Sequence, residues 1–173
     1  MTDSFDQISA HNEELARHIV ERASARGVTV STAESLTAGM IASTIADIPG
    51  ASAVLRGGAV TYCDEIKHRV LGVDQETLDR YTAVSHQTAR EMAARSLELY
   101  QSDIAVSATG YAGPGGGTPD QPVGLVYTGI SGPWGTVTHR NVYHGGRVEV
   151  KQRAALRAVY YLVHYIVTHT KKA

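Results

Sequence analysis

Apolar and polar positions along the chain switch between a helical period and short β-branched runs. Across residues 6–26, Ile8, Leu15, Ile19 and Ala23 fall near one face, and Glu13, Glu14, Arg17 and Arg22 lie elsewhere. This predicts an amphipathic helix that stops at Gly27. Residues 28–32, VTVST, then predict a strand. Helical spacing resumes at Leu36, Met40, Ile41 and Ile45 and ends in DIPG at 47–50. A second strand is predicted over 54–62, with a kink at Gly57 and Gly58, and a helix over 64–73 with Ile66, Val70 and Leu71 apolar. Ser85 is a good N-cap for a helix carrying Ala89, Met92, Ala93, Ser96, Leu97 and Tyr100 on one face. Residues 103–107 predict a third strand, and 123–131 with 134–143 a strand pair turning at 132–135. A last helix begins near Arg147, with Ala155, Val159, Leu162 and Ile166 as its buried stripe.

Strands separated by helices predict an α/β fold: a single-domain α/β/α layered sandwich with a mixed sheet, the late hairpin adding antiparallel pairing. A chain of 173 residues fits one domain, read here as spanning 1–173, and buries roughly 70% of its unfolded surface. Lys plus Arg is 16 against 17 for Asp plus Glu, a net charge of −1. That balance argues against nucleic acid as the main partner. Cys63 is the single cysteine, so no intrachain disulfide is possible, no zinc-finger or thioredoxin spacing exists, and a reducing compartment is expected. The polar, acidic N-terminus lacks the layout of a signal peptide, and no apolar run approaches the ~18 residues of a membrane span. A soluble cytoplasmic protein with no membrane partner is expected. Of 17 glycines, eleven fall between Gly110 and Gly146, and residues 101–139 carry only Asp103 and Asp120 as charges. That region is built from backbone more than from side chains.

Candidate chemistry gathers at three junctions that follow strands, residues 33–39, 57–62 and 109–117. In open α/β sheets, ligands bind beyond the carboxyl ends of strands. Ser35 lies where a strand gives way to a helix, so the N–H groups of Leu36 and Thr37 are expected to be unpaired and to favour an anion. Such donors suit a serine nucleophile with a developing oxyanion, although a helix cap is the plainer role for Ser or Thr there. No GxSxG elbow and no evident histidine base accompany Ser35. Lys67, after Tyr62 at the end of the second strand, can serve if desolvation lowers its pKa. The run TGYAGPGGGT at 109–118 allows positive φ and close backbone approach to a ligand. It is neither a P-loop nor a dinucleotide fingerprint. Glycines at 129–135 read as hairpin turns. Arg147, after Gly145 and Gly146, sits against the dipole of its own helix, which suggests service to a ligand carboxylate or phosphate.

At these junctions the sequence resembles the C-terminal domain of the competence/damage-inducible CinA family, which includes stand-alone nicotinamide-nucleotide amidases. The resemblance covers about residues 12 to 168. It rests on TAESLTAG at 32–39, on Gly58 with Tyr62, Lys67, Leu71 and Val73, on AVS at 83–85, on Thr109 through Gly124, and on Gly146 with Arg147. It implies hydrolysis of the carboxamide of nicotinamide mononucleotide to nicotinate mononucleotide and ammonia, with no cofactor or metal. Ser35 would be the nucleophile, and Tyr62 and Lys67 would activate it or relay protons. Thr37, Thr109, Gly110, Gly113, Gly115, Gly116 and Arg147 would bind the small-molecule nucleotide. A homo-oligomer, dimer or higher, is also implied. Three departures bear on substrate preference. Ala38 stands where many members have glycine, Tyr111 where a small aliphatic is usual, and Cys63 with Asp64 where Ser-Asn is frequent. The competing reading is a non-catalytic nucleotide- or partner-binding module linked to competence or DNA damage.

Overall fold

The computed structural model describes residues 5–169, apart from the side chains at positions 5, 6, 8 and 9. The predicted placement of Ile8, and the two ends of a domain drawn over 1–173, lie outside the described residues. The elements run α1 (Phe5–Ser24), β1 (Val30–Glu34), α2 (Met40–Ala46), β2 (Leu55–Val60), α3 (Asp64–Arg69), α4 (Gln75–Tyr81), α5 (His86–Tyr100), β3 (Ile104–Gly110), β4 (Leu125–Gly132), β5 (Gly135–Val142) and α6 (Arg147–His169). A short 3₁₀ turn precedes β2.

The strands form one mixed sheet in the order β2-β1-β3-β4-β5. β2, β1 and β3 are parallel, whereas β4 and β5 are antiparallel additions. β1 and β3 lie inside the sheet and are almost wholly buried, the polar Ser31, Thr32, Glu34, Ser107 and Thr109 included. β5 is the edge and is half exposed. On one face α1, α2 and α6 bury Ile19, Ile41, Ile45, Val159, Leu162 and Ile166 against β1, β3 and β4. On the other, α5 with the α3–α4 segment buries Leu71, Val73, Leu78 and Met92. The result is the layered α/β/α sandwich expected from the order of elements.

Most predicted elements are present. Ser85 caps α5 by accepting the Thr88 N–H at 3.1 Å. Ser96, on the predicted inner face of α5, meets Ser31 Oγ of β1 at 2.9 Å, so its hydroxyl is satisfied in the core. Three expectations change. The second helix starts at Met40 rather than Leu36, because residues 35–39 form a turn. α4 was not anticipated: a seven-residue helix that buries only Leu78 has too little periodicity to be seen. Gly129 is not a turn residue. It lies within β4, paired with Ser107 and Thr138, beneath α5. A Cβ there would fall 2.3 Å from the Ala89 carbonyl oxygen, so the missing side chain sets how closely α5 approaches the sheet.

Strand direction sets the functional edge. β1, β2 and β3 run the same way, and two antiparallel steps turn β5 back into that direction. The carboxyl ends of all four strands therefore emerge on one side. They lead to Ser35, Tyr62, the glycine-rich run and Arg147 respectively.

Gly129→Ala should lower stability by about 1–3 kcal/mol, the usual range for overpacking, read as a reduced urea midpoint. Gly115→Ala, where a Cβ meets nothing within 4 Å, should stay within about 0.5 kcal/mol of the parent.

Candidate active site

Glu34 closes β1 with its side chain almost fully buried. Its Oε2 accepts the N–H groups of Gly39 at 2.9 Å and Ile41 at 3.1 Å, and Oε1 accepts that of Ala42 at 2.9 Å and the Thr32 hydroxyl at 3.2 Å. A carboxylate from the preceding strand thus fills the amino terminus of α2, satisfying donors that a helix end leaves open. The protein's own carboxylate therefore answers the helix start at Gly39, Ile41 and Ala42, not at the Leu36 and Thr37 N–H groups where an anion was expected. Sequence reading missed Glu34, although its place in TAES beside Ser35 was the available signal.

The chain from Ser35 to Gly39 folds tightly around that carboxylate. Ser35 N–H donates to Ala108 O at 2.9 Å, and Ala38 N–H to Ser35 O at 3.1 Å. Among the described residues, the N–H groups of Leu36 and Thr37 meet no acceptor. Ala38 takes φ +52° and Gly39 φ +94°. The left-handed conformation costs a residue bearing Cβ about 1–2 kcal/mol, a cost that Ala38 bears and a glycine at this position would not.

Lys67 lies on α3, and its side chain is only 2% exposed. Its Nζ donates to Ser35 Oγ at 3.3 Å and lies 3.6 Å from Asp64 Oδ1. Burial lowers its pKa below the ordinary lysine value, and Asp64 and Cys63 partly oppose that. A lysine held out of water beside a serine hydroxyl is equipped to take the hydroxyl proton once neutral.

Tyr62 and Arg147 form a second group. Tyr62 is half exposed, and its hydroxyl accepts from Arg147 Nη2 at 2.5 Å. Arg147 Nη1 donates to Gly113 O at 2.7 Å. Tyr62 therefore meets Arg147, and at hydrogen-bond distance neither Ser35 nor Lys67. Arg147 is the first residue of α6. Glu149 answers the Gly146 N–H at 2.8 Å and supplies the acidic first turn that the helix dipole favours. Among the described residues no carboxylate lies within ion-pair distance of the Arg147 guanidinium.

Ser35, Leu36, Tyr62, Gly110, Tyr111, Ala112, Gly113, Gly115 and Arg147 line one cleft. The remaining predicted binding residues, Thr37, Thr109 and Gly116, are not among those that line it. Thr37 is fully buried and its hydroxyl has no partner among the described residues. The Thr109 hydroxyl donates to Ala83 O at 2.6 Å, tying β3 to the loop before α5. Gly116, at φ +93°, packs over the Tyr111 ring, which a Cβ there would approach to 3.3 Å. Tyr111 is held by its hydroxyl donating to Gln121 Oε1 at 3.2 Å.

The model of the CinA C-terminal domain family matches residues 12–166. The chain belongs to this family. A putative competence-damage inducible protein of Caldanaerobacter subterraneus subsp. tengcongensis is 45% identical over 85% of this chain and 36% of its own length. A CinA-like protein of Chloroherpeton thalassium is 52% identical over 68% of this chain and 28% of its own. This CinA domain thus spans about a third of the curated relatives it matches. Solved structures match over almost their full length. The competence/damage inducible protein CihA of Agrobacterium tumefaciens has a TM-score of 0.87 at 42% identity, covering 89% of this chain and 94% of that one. The competence damage-inducible protein A (ComA) of Klebsiella pneumoniae subsp. pneumoniae MGH 78578 has a TM-score of 0.88 at 34% identity, covering 92% and 99%. No helix among the described residues is long and apolar enough to cross a membrane.

Glu34→Gln should destabilise the fold by about 1–3 kcal/mol, since an amide cannot accept the same set of N–H groups; thermal unfolding would show it as a lower Tm. Ala38→Gly should raise stability by up to about 1 kcal/mol, left-handed strain being relieved against the greater unfolded-state freedom of glycine. Denaturant midpoints check this.

Proposed function

We propose that the domain is an amidase that hydrolyses the carboxamide of nicotinamide mononucleotide, releasing nicotinate mononucleotide and ammonia. The observation that carries this reading is the contact of buried Lys67 Nζ with Ser35 Oγ at 3.3 Å, beside a cleft at the carboxyl ends of the parallel strands. Family membership supports it, and the whole-protein roles of the longer relatives are not needed for it.

Neutral Lys67 takes the proton of Ser35 Oγ as that oxygen attacks the carboxamide carbon. The carbonyl oxygen gains charge, and the free N–H groups of Leu36 and Thr37 are the available donors for it. The Lys67 ammonium then returns its proton to the leaving nitrogen, so ammonia departs and an ester to Ser35 remains. Lys67, again neutral, activates a water that hydrolyses the ester and frees the carboxylate product. Arg147, a guanidinium without a carboxylate partner among the described residues, is suited to the substrate phosphate, with the Gly113–Gly115 backbone beside it. Tyr62 positions Arg147 in this scheme and lines the cleft. The ring of Tyr111 offers a face to the pyridine.

Purified protein incubated with nicotinamide mononucleotide should release ammonia, and Ser35→Ala should abolish the release. Lys67→Met should lose about 10²–10⁴-fold in rate and, by replacing a buried cation with an apolar chain, raise Tm by a few degrees. The parent kcat/KM should rise with pH through an ionisation below the ordinary lysine range, because only the neutral amine is a base and burial favours that form. Tight binding of the mononucleotide without turnover, unchanged in Ser35→Ala, would replace the amidase by a binding module.

A further inference from the structure

Lys67 has a contact that the proposed chemistry leaves unused. Asp64 opens α3 one turn before it, with Oδ1 3.6 Å from Nζ, while Ser35 Oγ stands 3.3 Å from the same nitrogen. The two partners differ in setting. The Lys67 side chain is 2% exposed and that of Asp64 is 58% exposed. The ammonium is therefore pointed from a dry site toward a carboxylate at the surface.

The other charged groups nearby are engaged elsewhere. From β1, the Glu34 carboxylate is filled by three N–H groups and the Thr32 hydroxyl. From α6, Arg147 holds Tyr62 and Gly113. Within α3, His68 bonds Val73 O and Arg69 pairs with Glu65. From α4 and α5, Asp74 faces Arg95, and Glu91 accepts from Asp74 N–H and Thr77. Cys63 precedes Asp64 and is exposed. Among the described residues, Asp64 is the one carboxylate within ion-pair distance of Nζ.

We propose that Asp64 is a positioning residue that holds Lys67 in its ammonium form until rising pH releases it, and so governs how much of the lysine is available as a base. The base role of Lys67 comes from the amidase reading, on which this rests. The Asp64–Lys67 contact itself does not. A carboxylate stabilises the ammonium over the amine, so its presence restrains activity on the acidic side of the profile. Burial of Lys67 alone would extend activity to lower pH, and Asp64 opposes that extension.

Two measurements on the full chain separate the contact from the chemistry. The chain has four lysines, Lys67, Lys151, Lys171 and Lys172, so ¹³C NMR of labelled lysine Cε can follow each, with the Lys67 signal assigned by its loss in Lys67→Met. In Asp64→Asn the Lys67 transition should move to lower pH. In Asp64→Glu, which keeps the charge, it should return toward the parent position. In parallel, kcat/KM for ammonia release from nicotinamide mononucleotide should rise about three- to tenfold on the acidic limb of Asp64→Asn, the limb moving with the NMR transition. An unmoved transition, or one moving to higher pH, overturns the proposal. A transition that moves in protein that releases no ammonia supports the Asp64–Lys67 contact and overturns the amidase reading instead.

Discussion

The site depends on one buried carboxylate. Glu34 ends β1, an inner strand of the sheet, and takes three N–H groups at the start of α2, so strand and helix are joined through a side chain as well as through the turn between them. Charge-assisted bonds of this kind are among the stronger polar contacts in a protein interior. The five residues between the two elements are forced into a tight turn, and that turn presents Ser35 and leaves the next two N–H groups without acceptors. A longer or looser junction would let the helix begin earlier and take up those donors.

A second constraint acts against stability. Lys67 is a cation with almost no access to water and one partial ion pair at 3.6 Å. Burying a charge is unfavourable unless it is paired or neutralised. The surrounding core carries that burden. Leu71, Val73, Leu78 and Met92 pack the same side of the sheet, and the backbone of Lys67 is fixed at both ends, its N–H to Cys63 O and its carbonyl to Val73 N–H. Strain at Ala38 adds to the same local cost, next to the serine. Functional sites often accumulate such departures.

The rim of the cleft is assembled differently from its floor. Ser35 and Lys67 are buried and ordered by the sheet and by α3. Arg147 and Tyr62 are exposed and meet each other, with Gly113 as the third contact. The arginine thereby links α6, the end of β2 and the glycine-rich run. Its partners among the described residues are neutral, which is why the proposed function gives its charge to the substrate phosphate.

Local sequence pattern by itself determined the layered α/β class, the main helices and strands, the N-cap at Ser85 and the three strand-following junctions whose residues line one cleft. These are local properties: a face of Ile and Val, a capping hydroxyl and a run of glycines each act over a few residues. The family was equally legible, because its motifs lie in those junctions. Tertiary structure decided what those residues meet. That Lys67 touches Ser35 across 32 positions of sequence, while Tyr62 turns to Arg147, follows from strand order and helix packing, which spacing does not encode. Glu34 looked like one more residue in a motif, and Asp64 like a departure from a frequent Ser-Asn pair, until the fold placed one under a helix and the other beside a buried amine. Gly129 looked like a turn until α5 was laid over it. In each case the deciding quantity is a distance between distant segments, and the sheet sets it.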